Sequence, residues 1–278
     1  MDKQLADLIK SFEIPDWGVC LFDPMDLSVP CRGISRVPER AKTVLVFAFP
    51  YLLPEYHGAC NLSRYACVPD YHPVARRALE GMITALCKQF PSEKFAAFAD
   101  ISPFDEVRIA AKAGLGVIGR NTLLIHPRYG SWLFLGEIVT TLELPVQDFP
   151  IQGCIGCGVC ERACPGNALS GGKLREQQCV SALTQKKGEL TQAEQALIRA
   201  GGLVWGCDIC QMVCPMNRTA WENPYPPFTE DVVQIVTEEN AAPLCKVRAF
   251  GFRGLKVIQR NLGILRQKKG NTTGESNQ

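Results

Sequence analysis

The feature that most constrains this chain is a pair of cysteine runs. Cys154-Ile-Gly-Cys157-Gly-Val-Cys160-Glu-Arg-Ala-Cys164-Pro165 reads C-x2-C-x2-C-x3-C-P, and Cys207-Asp-Ile-Cys210-Gln-Met-Val-Cys214-Pro215 reads C-x2-C-x3-C-P, with Cys179 between them. Thiolates this dense fold a backbone around metal. Cysteines two residues apart wrap one corner of a cubane, and the cysteine before proline leaves the loop, starts a helix and reaches the other cluster. That crossover assigns Cys154, Cys157, Cys160 and Cys214 to one [4Fe-4S] cluster. The second takes Cys164, Cys207 and Cys210 and needs one more ligand, for which Cys179 is the nearest spare. C-x2-C pairs also build zinc ribbons, but zinc closes with four ligands and has no use for the extra cysteine and C-P step of each half.

The chain has 14 cysteines in 278 residues, unevenly placed. Cys20, Cys31, Cys60, Cys67 and Cys87 precede the runs, Cys245 follows them, and none of these six has an assignable role. Met1–Asp7 carries acids and no apolar h-region, so the expectation is a reducing, cytoplasmic setting in which clustered thiols hold metal. The longest strongly apolar run, Val44–Phe49, is too short to span a bilayer. With 30 Lys+Arg against 28 Asp+Glu, the net charge of +2 argues against a wholesale nucleic-acid coat. It leaves room for a local patch: residues 246–269 carry eight basic residues and no acid, which reads either as a phosphate grip or as a solvated helix face.

Periodicity places the motifs. Thr43–Phe49 is a β-branched, apolar run that predicts a buried strand, and Phe95–Ala99 and Ser131–Leu142 predict two more. His72–Phe90 predicts a helix with Val74, Ala78, Met82 and Leu86 on its core face. Asp105–Ala113 predicts a helix ending at Gly114, a good residue just past a helix end. Gly251–Gln267 predicts an amphipathic helix, with Leu255, Ile258, Leu262 and Leu265 opposite Arg253, Lys256 and Arg260; Asn271–Gln278 is polar and expected to fray. Leu-Pro and Phe-Pro steps near Pro145–Pro150 predict a boundary. The organisation expected is 1–148, 149–225 and 226–278.

Gly114-Leu-Gly116-Val-Ile-Gly119 matches G-x-G-x-x-G, but a dinucleotide loop needs a strand before it and a helix opening at it. Here a helix precedes it, so a helix end followed by a tight turn is the better reading, with room for a ligand to approach the backbone.

Several blocks in order carry a family resemblance: Ser63-Arg-Tyr-Ala-Cys-Val-Pro-Asp-Tyr-His72, Asp100-Ile-Ser-Pro103-Phe-Asp-Glu106, Ala113-Gly-Leu-Gly-Val-Ile-Gly-Arg-Asn-Thr122, Gly130-Ser-Trp-Leu-Phe-Leu-Gly-Glu-Ile138, and then the cysteine runs. Together they resemble epoxyqueuosine reductase over about residues 40 to 265. The resemblance implies an α+β fold: an N-terminal mixed α/β cobalamin-binding domain, a bacterial two-[4Fe-4S] ferredoxin-like domain and a short C-terminal helix. It implies that Asp100 is the proton donor and that Cys179 completes the second cluster. It places the corrin near Ser63, Arg64, Tyr65, Ile118, Asn121 and Asp208, with Asp100 at the same site.

The activity implied is cobalamin-dependent reduction of the epoxide of epoxyqueuosine in tRNA. An external flavodoxin- or ferredoxin-type donor feeds one cluster, the other cluster reduces cobalamin to nucleophilic Co(I), and Asp100 protonates the departing oxygen. A proton donor needs a raised pKa, which burial beside the corrin would supply. His72 and Tyr65 could line the pocket, though a structural histidine fits as well, and Cys60 and Cys67 could approach cobalt, though buried structural thiols are commoner.

The chain departs from the family in three ways. Most of the C-terminal helical repeats are absent, Val107 replaces a basic residue, and Val117 replaces a tryptophan. Two other readings stay open. One is a short relative that reduces cobalamin itself or a small molecule. The other is a ferredoxin-like electron carrier, against which the first 150 residues argue.

Overall fold

The computed structural model describes residues 3–28, 30–54, 59–146, 148–222 and 224–267. A four-stranded antiparallel sheet forms its N-terminal half. Strands β1 (Asp16–Leu21), β2 (Thr43–Pro50), β3 (Phe95–Phe98) and, after a hairpin of β4 (Val117–Ile118) and β5 (Leu124–Ile125), β6 (Leu133–Thr140) are ordered β1-β2-β6-β3. Every residue of β2 is buried, because both faces of the sheet are covered.

Period-2 alternation separates the two faces. Leu45, Phe47, Phe49 and Ile138 pack with helices α1 (Lys3–Lys10) and α3 (Tyr71–Gln89), the latter preceded by the one-turn α2 (Arg64–Cys67). Val44, Val46, Leu135 and Val139 pack with α4 (Glu106–Lys112). The core face of α3 is Ala75, Leu79, Met82 and Leu86, so the expected stripe is right at its C-terminal half only; Val74 and Ala78 lie at the margin. Helix α4 ends before Gly114, whose φ of 80° makes the turn into the β4–β5 hairpin. G-x-G-x-x-G therefore follows a helix and opens a hairpin, which removes the dinucleotide reading.

The cysteine segment holds four short helices, α5 (Val159–Ala163), α6 (Val180–Gln185), α7 (Gln192–Gly201) and α8 (Ile209–Met212), with a two-residue-strand hairpin of β7 (Leu169–Ser170) and β8 (Lys173–Leu174). Cys164 does not start a helix as the C-P reading expected: it closes α5 and passes into a turn, whereas Cys214-Pro215 opens a short 3-10 turn. The chain then runs back over the sheet, with Tyr225 and Phe228 in the N-terminal core, before α9 (Glu238–Leu244) and α10 (Leu255–Arg266).

Helix α10 buries Val257, Ile258, Asn261 and Ile264 most deeply; of the predicted stripe, Ile258 is fully buried, while Leu255, Leu262 and Leu265 pack partly buried against the same core, so the centre of the face is shifted. Asn261 Nδ2 donates to the carbonyls of Thr184 (2.7 Å) and Val204 (2.8 Å), so a polar residue clamps the helix to the cysteine segment. Much of the basic run is used in the fold. Arg248 is buried against Asp231, Arg260 donates to the Lys186 and Gly188 carbonyls, and Arg266 pairs with Glu238. Lys268, Lys269, residues 271–278 and His57 lie outside the described residues. Among the described residues no helix is long and apolar enough to cross a membrane.

Candidate functional site

Helices α5 and α8, which carry Cys160 and Cys210, pack together, and among the described residues no three Cys, His, Asp or Glu side chains converge as on a single metal ion; the first expected group is Cys154, Cys157, Cys160 and Cys214, and the second is Cys164, Cys179, Cys207 and Cys210. Cys160 is buried, and the charges that bear on it include those of Cys214 and Cys154. Burial pushes Cys207 up to about 11, and Cys179 and Cys164 are among its neighbours. Burial pushes Cys210 up to about 12, with Cys207 and Cys179 beside it and Cys160 in reach. Cys157 is exposed.

Backbone amides already point at sulfur: Arg120 N–H donates to Cys154 Sγ (3.4 Å) and Ala168 N–H to Cys164 Sγ (3.3 Å). Such bonds satisfy cluster thiolates and tune their potential. Arg120 also pairs with Glu161 at 3.0 Å, beside the first group. Ile118 does not line a ligand cavity; its carbonyl accepts the Cys154 N–H (3.0 Å), so it braces the first cysteine loop.

A cavity of about 300 Å³ opens onto the second group, lined by all of Cys164, Cys179, Cys207 and Cys210. Its far wall is Tyr51, Tyr65, Leu133 and Phe134 from the sheet half, and its rim is the turn Asn121–Leu123. The turn is tight, because a Cβ at Gly119 would sit 2.1 Å from Asn121 Oδ1.

Three of the residues expected to touch a corrin carry buried polar atoms without a partner: Ser63 Oγ, Asn121 Nδ2 and Asp208 Oδ1. Unpaired buried polar atoms are costly and mark a missing ligand or water. Asp208 accepts from Arg64 N–H (2.7 Å) through its other oxygen, and burial raises its carboxyl to about 6. Burial likewise raises the Tyr65 phenol. Arg64 places its guanidinium 4.8 Å over Trp132. Cys60 and Cys67 lie 3.7 Å apart, Sγ to Sγ, packed with the C-terminal core and outside the lining of this cavity.

Sequence reasoning missed the floor of the cavity. Ser131 Oγ donates to Gln211 Oε1 (2.9 Å) and accepts from Asn217 Nδ2 (2.8 Å), a buried network tying β6 to the second cysteine run. The polar residues set inside and just after C-x2-C-x3-C-P were the available signal.

Asp100 sits beyond the aromatic wall. Phe134 stacks on Tyr71, which stacks on His72, both at 4.1 Å between ring centroids. Tyr71 Oη donates to Asp100 Oδ1 (2.9 Å), His72 Nε2 lies 3.3 Å from Asp100 Oδ2, and Asp70 holds the other ring nitrogen (2.6 Å). Asp100 does not have the raised pKa expected of it. The His72 bond holds its carboxyl below the usual range, with the Tyr71 bond adding to this against partial burial, and its side chain is 48% exposed. The proton resides on His72 instead, pushed up to about 9 by Asp100 and then Asp70.

Two family models match. Residues 153–217 match the 4Fe-4S double cluster binding domain, and residues 33–101 match the family described as epoxyqueuosine reductase QueG, DUF1730. The chain is 36% identical to the epoxyqueuosine reductase of Lactococcus garvieae, covering 81% of this chain and 68% of that protein. It is 40% identical to that of Pseudomonas aeruginosa over 71% of this chain and 53% of that one. The solved Streptococcus thermophilus epoxyqueuosine reductase superposes with a TM-score of 0.79 at 26% identity, covering 94% of this chain and 80% of that one. An epoxyqueuosine reductase solved with a tRNA-Tyr epoxyqueuosine-modified stem loop superposes at 0.80, with 24% identity and coverage of 95% and 80%. With the cysteine groups, the cavity and these matches together, the chain belongs to the epoxyqueuosine reductase family.

Proposed function

We propose that this protein is a cobalamin-dependent, two-cluster iron–sulfur reductase that converts epoxyqueuosine in tRNA to queuosine, fed by an external low-potential flavodoxin- or ferredoxin-type donor. One observation carries the reading: a single cavity has the four cysteines of the second group on one side and the aromatic wall leading to Tyr71, His72 and Asp100 on the other. His72 and Asp100 themselves line a neighbouring cavity, so the stacked rings of Phe134, Tyr71 and His72 join the proton groups to the cysteine side. The relatives carry the name of this activity, and one was solved with a modified tRNA stem loop.

Cys154, Cys157, Cys160 and Cys214 would hold one cluster, and Cys164, Cys179, Cys207 and Cys210 the other. Of the unpaired polar atoms, Asn121 Nδ2 lines the cavity and suits an amide group at a corrin's edge, while Ser63 Oγ and Asp208 Oδ1 are buried outside its lining. At about 300 Å³ the cavity takes part of the macrocycle rather than all of it. Bound there, cobalamin supplies the two-electron cobalt chemistry that opens an epoxide.

The chain's own residues do the rest. The cavity walls orient the substrate and exclude water. His72 stores a proton at Nε2, and Asp100 Oδ2 relays it towards the departing oxygen while the Tyr71 hydroxyl steadies Oδ1.

The test is Asp100→Asn, which keeps size and removes the relay. Cofactor loading and reduction through the clusters should persist, while turnover per loaded molecule on epoxyqueuosine-tRNA falls about 10²–10⁴-fold. Wild-type turnover in that variant would remove Asp100 from the chemistry. A fully loaded protein inert on the tRNA but active on cobalamin alone or a small epoxide would favour the short-relative reading.

A further inference from the structure

Behind Asp100 lie two acids that the chemistry above leaves unused. Glu137 is fully buried on the central strand β6, facing α4, and no hydrogen bond of normal geometry reaches either oxygen. The Ser102 hydroxyl and the Glu106 carboxyl are the polar groups that bear on it. Glu106 opens α4, after Asp105 caps the helix, and its Oε1 accepts the backbone N–H of Asp100 at 3.2 Å. Asp100 needs such a hold, because its φ of 65° is a left-handed conformation that a non-glycine residue adopts only when its surroundings impose it.

We propose that Glu106 is a positioning residue that locks the backbone of Asp100, and that the lock tightens when Glu106 is ionised. The inference deepens the reading of Asp100 as the proton relay and rests on it for its catalytic consequence.

The groups around the pair support it. Glu106 faces Asp100 and Asp105 from its own loop and Tyr71 and His72 from α3. Glu137 faces Glu106 and Ser102, with the Cys20 thiol of β1 nearby. Only His72 among these groups is a cation, and it is engaged by Asp70 and Asp100. Burial, and then the Glu106 charge, raises the Glu137 carboxyl well above its usual range. Burial pushes Glu106 up to about 7. An ionised acceptor binds an amide N–H more strongly than a neutral one.

The test compares Glu106→Gln, which keeps an acceptor oxygen and cannot titrate, with Glu106→Ala, which has none. Hydrogen exchange of the Asp100 amide reads the lock without any substrate. In wild type its protection, corrected for intrinsic exchange, should rise about fivefold between about pH 6 and pH 8. It should be flat with pH in Glu106→Gln and at least about fivefold lower at pH 8 in Glu106→Ala. Turnover should follow: kcat falls about 10-fold in the alanine variant with KM nearly unchanged, and the glutamine variant restores much of it. Unchanged Asp100 protection in Glu106→Ala would overturn the lock. A pH-dependent rise persisting in Glu106→Gln would overturn Glu106 as the group whose ionisation tightens the lock. If the exchange results hold while Asp100→Asn turns over normally, the lock stands and the relay fails.

Discussion

Residues 3–146 bury a continuous sheet core, in which Phe47, Phe49, Leu45, Leu79 and Met82 lose all contact with solvent. Residues 153–217 spread their few buried apolar side chains over small patches such as Leu183, Leu190 and Ile198, and place buried or half-buried cysteines where a core would be. The first region is held by carbon packing. The second is shaped for metal, and its free energy of folding is in large part a free energy of cluster binding. In the proposed function each region has its own part: the sheet half supplies the aromatic wall and the proton groups, and the cysteine segment supplies electrons.

Iron removal gives the largest expected effect. Anaerobically reconstituted protein should carry about eight irons per chain, and chelating them should open residues 153–217 to protease while the sheet half stays protected. Simultaneous loss of both regions would break the comparison, and stoichiometric zinc with little iron would refute the clusters. Cys214→Ala should lose about half the iron, from the cluster of Cys154, Cys157 and Cys160. Loss confined to the other cluster, seen by electron paramagnetic resonance, would reverse the crossover.

The converse perturbation is Phe47→Ala. It should cost about 3–5 kcal/mol and lower the melting temperature, without changing iron per folded molecule. An iron deficit in the folded fraction would show that the two regions are not separable.

The smallest effect concerns His72. Its folded pKa, about 9, lies above its unfolded value near 6.5, so its stabilisation is fully present below about 6.5 and fades as pH rises through about 9. Because the ring is a third exposed, screening reduces this to about 1 kcal/mol. Denaturant midpoints of His72→Gln and wild type should differ at pH 6 and converge by pH 10. A constant gap across that range would show that packing rather than charge is lost.

The strands at Thr43, Phe95 and Leu133 and the helices after Asp70 and Asp105 were legible in the sequence, because residue periodicity is a local signal. The 3-10 turn after Cys214 was legible to within a residue or two; the turn after Cys164 was not, since proline forbids some conformations without choosing among the rest. The face of α10 was misread because its centre is Asn261, whose burial depends on carbonyls of Thr184 and Val204 far away in sequence. For the same reason the basic run gave an ambiguous signal: what Arg248 and Arg260 bind is decided by distant backbone.

The site shows the division most clearly. Sequence alone singled out the cysteines proposed to hold iron, since thiolates at fixed spacing have few other uses, and the family blocks singled out Asp100 by its place in a motif. Only the tertiary structure decided its protonation. A carboxyl's pKa depends on which groups lie within a few ångströms, and those groups, Tyr71 and His72 from α3 and Glu106 from α4, reach Asp100 through folding of the sheet half. Burial on a central strand likewise made Glu137 a proton-holding acid, which nothing in Gly136-Glu137-Ile138 announces, because a glutamate in a strand pattern ordinarily faces water.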